Sequence, residues 1–101
     1  MKTVIVRYKV KEESKQQNIK YIQDVFSALK RSNPAGLRYA SFQLEDETSF
    51  LHIASIETED GSNPLSIMEE FKTFTQDIAS RCEEPPVAMV ANTIGLYQIF
   101  N

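Results

Sequence analysis

The sequence predicts an α+β chain of order β-α-β-β-α-β, the ferredoxin-like arrangement, with a four-stranded antiparallel sheet and two helices on one face. Three observations carry that expectation. Residues 3–10 and the paired runs GLRYASFQL and SFLHIASIE have the alternation and the β-branched and aromatic content of strands. Two intervening stretches, from Ser14 to Arg31 and from Pro64 to Cys82, repeat apolar residues at helical spacing. The closing VAMVANTIGLYQIF is extended and apolar on both sides.

In the first strand, Val4, Val6, Tyr8 and Val10 point one way, and Thr3, Ile5, Arg7 and Lys9 the other, giving one apolar and one mixed face. Ser14 followed by Gln17 fits a capping box, so the first helix starts at or just after Ser14. Ile19, Ile22, Val25, Phe26 and Leu29 form its apolar stripe, and Lys30 and Arg31 suit the negative end of its dipole. Asn33-Pro34 stops it, and Gly36 opens the hairpin.

The hairpin can be read by register. A two-residue turn at Asp46-Glu47 and a four-residue turn from Glu45 to Thr48 give the same pairing, with Ser41 opposite His52 and Phe42 opposite Leu51. One face then carries Ala40, Phe42, Leu44, Leu51 and Ile53 and is wholly apolar. The other carries Tyr39, Ser41, Gln43, Phe50, His52 and Ala54 and mixes rings with hydrogen-bonding groups. Taken as core, the apolar set goes beneath the helices, which puts His52 on the far face beside Ser41 and near Tyr39.

Asn63 reads as an N-cap, with Pro64 in the first helical position, where its missing N–H is harmless. The second stripe runs through Met68, Phe71, Phe74, Thr75, Ile78 and Cys82, and Glu69, Glu70 and Arg81 match the dipole. Pro85-Pro86 cannot continue the helix. The last strand is long enough that a bend is expected near Asn92 to Gly95.

A chain of 101 residues makes one domain, spanning 1–101, and its 42% hydrophobic and 25% charged residues are ordinary for a globular protein. A net charge of −3 argues against nucleic acid or an anionic membrane as partner, since either would call for a basic face. No apolar run approaches the ~20 residues of a membrane span. The charged N-terminal run lacks the features of a signal peptide. Cys82 is the only cysteine, so no intrachain disulfide forms and a reducing cytoplasm is the expected compartment. With two helices covering one sheet face, the apolar residues of the other need a cover, and a second copy is the economical one.

In element order, in the Asn63-Pro64 start of the second helix and in the terminal GLYQIF, the chain resembles the dimeric α+β-barrel superfamily. Within it, the small antibiotic-biosynthesis-monooxygenase-like proteins are the nearest branch, and GLRYASF followed by FLHI looks like an uncharacterised subgroup. The resemblance implies a homodimer of face-to-face sheets and a small-molecule pocket. It also implies an activity like that of cofactor-independent monooxygenases on phenolic or polycyclic aromatic compounds, with no metal or other cofactor. Oxidising and haem-degrading members use a tryptophan, and this chain has none. The alternative is a non-catalytic dimeric module whose mixed face is only a subunit interface.

His52, the only histidine, is the candidate general base, with Tyr39 beside it as a second catalytic candidate. Ser41, Phe50 and Arg7 are the candidate substrate-binding residues, Arg7 through charge-assisted hydrogen bonds to an anionic or phenolate ligand. The simpler readings are a half-buried histidine bonded to Ser41, and an arginine paired across an interface. One histidine and one distant cysteine give no zinc spacing, and no phosphate-binding or nucleophile-elbow motif occurs.

Overall fold

The computed structural model describes residues 2–99. Its strands β1 (Lys2–Val10), β2 (Leu37–Gln43), β3 (Ser49–Ile56) and β4 (Cys82–Ala91) form one antiparallel sheet in the order β2-β3-β1-β4. The helices are α1 (Lys15–Ser32), α2 (Glu69–Thr75) and α3 (Ile78–Arg81), so the expected element order and sheet hold.

The first helix starts after Ser14, but without the expected capping box. A 3₁₀ turn over Glu12–Ser14 leads into it, and Ser14 makes no side-chain cap. Asn33 ends α1 in the left-handed conformation (φ 45°), its N–H donating to the Leu29 carbonyl at 2.7 Å. Gly36 follows with φ 76°, and a Cβ there would lie 2.9 Å from the Thr58 methyl. Only glycine fits both the conformation and the close approach.

The hairpin register is as read, with Ser41 opposite His52 and Phe42 opposite Leu51. Leu44 N–H donates to the Ser49 carbonyl, leaving the four residues from Glu45 to Thr48 as the loop. Asp46 fixes that loop by accepting from the backbone N–H of Thr48 and Ser49 and from the Ser49 hydroxyl. These bonds, that of the Ser49 hydroxyl foremost, hold its carboxyl below the usual range.

The face assignment is reversed. His52 is 3% exposed and packs against Phe74 of α2, while Leu51 and Ile53 lie on the side away from the helices. The reason lies in the β1–β3 register, which sets Val6 opposite His52 and Ile5 opposite Ile53. The helices cover the β1 face bearing Val6, Tyr8 and Val10, and His52, Phe50 and Tyr39 go with it. The purely apolar face is therefore the open one. It joins Ala40, Phe42, Leu51 and Ile53 to Ile5, and Val87 and Met89 of β4 add to it as partners of Arg7 and Ile5. Val87 and Met89 are each 56% exposed.

The second helical stretch is also broken. Asn63 caps as expected, its Oδ1 accepting from Leu65 N–H at 3.0 Å, but the turn it caps is a 3₁₀ turn over Pro64–Ile67. Extended Met68 separates that turn from α2, and extended Gln76 with left-handed Asp77 (φ 58°) separates α2 from α3. Arg81, buried, spans the second break by donating to the carbonyls of Phe74 and Gln76. Its guanidinium lies 4.9 Å over the Tyr21 ring.

Cys82, expected on the helical stripe, is the first residue of β4, half-buried, with burial raising its thiol pKa. Pro85 and Pro86, which cannot continue a helix, lie within β4, which tolerates them as an edge strand with shifted register between Arg7 and Lys9. The strand ends at Ala91, the partner of Thr3. Residues 92–99 continue outside any strand, with Ile94, Leu96 and Tyr97 exposed. Phe100, the end of the expected strand, is outside the described residues.

Candidate functional site

The antiparallel ladder assembles the site around His52. Ser41 is its direct partner on β2, and Tyr39 and Tyr8 are diagonal neighbours on the strands to either side. His52 Nδ1 lies 2.6 Å from Ser41 Oγ and 3.0 Å from Tyr39 Oη, and Nε2 lies 2.8 Å from Tyr8 Oη. Tyr8 Oη also accepts from Asn18 Nδ2 of α1 at 2.9 Å. Both ring nitrogens are thus engaged, which is what lets an imidazole sit in a core at all.

The rings form a continuous row across the sheet. His52 stacks on Tyr8 with centroids 5.3 Å apart, and on Tyr39 at 5.9 Å. Phe50 extends the row beyond Tyr8 and Phe26 of α1 extends it beyond Tyr39. Offset stacking of this kind adds to the burial energy of each ring.

Between this row and the second helical stretch lies a partly open cavity of about 230 Å³. His52, Tyr8 and Tyr39 line it on the sheet side, with Val6 and Ala54 as its apolar floor and Phe74 as its roof. Asn63 lines it from the loop, and because its Oδ1 is committed to Leu65 N–H, its free group is the Nδ2 donor.

Burial sets the ionisation of the site. It pushes the His52 pKa down from 6.5 to about 4, so the imidazole is neutral at neutral pH. It raises the Tyr39 phenol to about 12 against the opposing hydrogen bond from Ser41, and raises Tyr8 further still against that from Asn18. The cavity therefore holds neutral hydroxyl and imidazole groups able to exchange hydrogen bonds, with no formal charge on its wall. Among the described residues no group of three or more His, Cys, Asp or Glu could hold a metal.

Of the five residues picked from sequence, His52, Tyr39 and Ser41 come together as one cluster. Phe50 is close by but 1% exposed, stacked on Tyr8 as core and not lining the cavity. Arg7 is a correction: it is exposed on the open face, opposite Leu51 and Val87, with the sheet between it and His52. Strand alternation places it so, since Val6 and Tyr8 on either side of it face the helices.

Tyr8, Asn18 and Asn63 are functional candidates that sequence reading missed. Tyr8 was legible as a polar-tipped member of the apolar set Val4, Val6, Tyr8 and Val10. Asn18 precedes Ile22, Val25 and Leu29 at offsets of four, seven and eleven, a stripe position that predicts burial of a polar side chain.

The sequence matches no protein family profile and no curated protein. Solved structures do match. An antibiotic biosynthesis monooxygenase superimposes with TM-score 0.73 at 17% identity, over 94% of this chain and 100% of its own. Rv0793 from Mycobacterium tuberculosis gives 0.75 at 9% identity, over 94% and 96%. SnoaB, a cofactor-independent oxygenase from Streptomyces nogalater crystallised as a variant, gives 0.69 at 12% identity, over 96% of both. At these identities the likeness establishes architecture. The chain has the ferredoxin-like α+β fold of the antibiotic-biosynthesis-monooxygenase-like proteins.

Proposed function

We propose that this chain is a small-molecule-binding protein of the cofactor-independent monooxygenase kind, holding a phenolic or other aromatic compound in the cavity beside His52. The observation that carries the reading is an apolar cavity lined by His52, Tyr8 and Tyr39, which form one neutral hydrogen-bonded cluster with Ser41. Apolar walls with a few placed polar groups are the usual form of a ligand site. At about 230 Å³ the cavity exceeds the ~150 Å³ that holds benzene, and it suits one or two fused rings. His52 and Tyr39 are the proposed catalytic pair, Ser41 positions His52, and Asn63 offers a donor to a ligand oxygen. The oxygenase likeness to SnoaB supports turnover of such a compound without a cofactor.

The test is titration of 1-naphthol into the protein, followed by the His52 ring signals in NMR and by oxygen uptake. Saturable binding with shifted His52 signals is expected, and Ala54→Phe, which fills the floor of the cavity, should abolish it. Equal binding by Ala54→Phe would end the reading.

The second reading, a dimeric module, is favoured by a separate observation. The open face gathers Ile5, Phe42, Leu51, Ile53, Val87 and Met89 around Arg7, which lies between Leu51 and Val87, with Thr3, Ser55, Lys9 and Ser49 toward the ends of the strands. We propose that a second copy covers it, as exposed apolar side chains with an arginine among them fit a subunit interface. Pocket and interface lie on opposite faces of the sheet, so both can hold together. Sedimentation should return a dimer at micromolar concentration and a monomer for Ile53→Lys; a folded wild-type monomer would remove the interface.

A further inference from the structure

The buried cluster has a hydrogen-bond direction, and one residue outside the cavity sets it. Asn18 is fully buried on α1, with Nδ2 donating to Tyr8 Oη at 2.9 Å and Oδ1 without a partner among the described residues. Rotating the amide by half a turn would put Oδ1 on Tyr8 and leave both Nδ2 protons without an acceptor, where the observed orientation leaves one. Orphaned buried donors are rarer than under-satisfied carbonyl oxygens, so the observed orientation is the favoured one.

From that orientation the protons can be counted along the chain. Tyr8, already an acceptor to Asn18, uses its single hydroxyl proton on His52 Nε2 at 2.8 Å. With Nε2 an acceptor, the neutral imidazole carries its proton on Nδ1 and donates to Ser41 Oγ at 2.6 Å. Tyr39 Oη lies 3.0 Å from the same Nδ1 and shares that proton as a second acceptor. The Tyr39 hydroxyl proton is then left over, and Tyr39 lines the cavity. In the reversed direction Nε2 would donate to Tyr8, and Nδ1 would accept from Ser41 and Tyr39. Tyr39 would then show the cavity only lone pairs.

We infer that Asn18 is the positioning residue that holds His52 in its Nδ1–H form and makes Tyr39 a hydrogen-bond donor to the ligand, so that the oxygen bound there is an acceptor, a carbonyl on an aromatic frame. The inference rests on the proposed binding function and deepens it by naming the ligand group. It extends the site to a residue of α1 that touches neither cavity nor ligand.

His52 is the only histidine, so the two-bond proton–nitrogen correlations of a ¹⁵N-labelled sample report its tautomer without assignment. The wild type should show Nδ1–H, and Asn18→Leu, which frees the Tyr8 hydroxyl, should shift it toward a mixture. 1-Tetralone, a ketone, should bind about tenfold more tightly than tetralin, which has no oxygen, and Tyr39→Phe should bring the two within about threefold. A wild-type Nε2–H tautomer overturns the inference, and does so even if Asn18→Leu fails to fold. So does an Asn18→Leu protein that folds and keeps pure Nδ1–H, or a wild type that binds both compounds equally. If the tautomer is Nδ1–H and neither compound binds, the ligand assignment falls with the proposed function while the direction set by Asn18 stands.

Discussion

Acid should weaken this protein through one side chain, and the size of the effect follows from the burial of His52. Its pKa is about 4 in the folded chain against 6.5 when free of the fold. Between those values the unfolded chain binds a proton that the native state refuses, so stability is fully present above about pH 6.5 and falls as the pH drops toward 4. One pKa unit corresponds to 1.36 kcal/mol, and the linkage relation then gives a loss of about 2 kcal/mol at pH 5 and about 3 kcal/mol at pH 4. Against a typical total of 5–15 kcal/mol this is large. The assay is urea unfolding at steps from pH 7.5 to 4, for the wild type and for His52→Gln, which has nothing to titrate there. Asp46 and Asp60, with lowered pKa values, also lose stability in acid, but on both sides of the comparison. The difference between the two proteins should therefore shrink by about 3 kcal/mol across the window. Parallel curves would refute the placement of a neutral His52 in the core, whatever the overall slope.

Alkali should also weaken the protein, through the buried tyrosines. Tyr39 rises to about 12 and Tyr8 rises with it, so their contribution is complete below pH 10 and lost as the pH passes up through their folded values; two of the four tyrosines should ionise late in a phenolate absorbance titration. Asn63→Ala should cost about 0.5–2 kcal/mol in chemical denaturation through the lost bond to Leu65 N–H, and no change would remove the cap. Phe74→Ala should cost roughly 3–5 kcal/mol, since Phe74 is 3% exposed and packs on His52 and Tyr8. Ile53→Ala, on the half-buried open face, should cost clearly less than that in thermal unfolding of the dilute protein; equal losses would return Ile53 to the core.

What was legible in the sequence follows the range of each signal. The hairpin register was fully readable, because the turn and the alternation of GLRYASFQL and SFLHIASIE are local and a slip of one residue would mix the faces. Which face meets the helices was not local. It depends on the β1–β3 register across many residues of intervening chain, and a wholly apolar set was the natural choice for the core. That choice failed because polar groups which satisfy one another can be buried at little cost. The cluster His52, Tyr39 and Ser41 survived the reversal, since cross-strand neighbours stay neighbours on either side of a sheet. Arg7 did not survive it, because it was tied to His52 only by being called mixed. The break at Gln76-Asp77 had no glycine or proline to announce it, only an aspartate able to take up a left-handed conformation.

The reversal also changes how the two functional readings relate. Had the mixed face been the open one, a pocket and a subunit interface would have competed for the same residues, and a packed interface would have erased the site. With His52 beneath the helices, the sheet separates two environments. One side holds a polar cluster that needs a dry, enclosed setting for its hydrogen bonds to be strong. The other holds Ile5, Phe42, Leu51 and Ile53, which need only to be removed from water. A change at one face reaches the other through the backbone of the sheet, where adjacent residues such as Leu51 and His52 or Ser41 and Phe42 point to opposite sides. Substitutions that break the interface should therefore leave the His52 tautomer in place, and substitutions in the cavity should leave the assembly state unchanged.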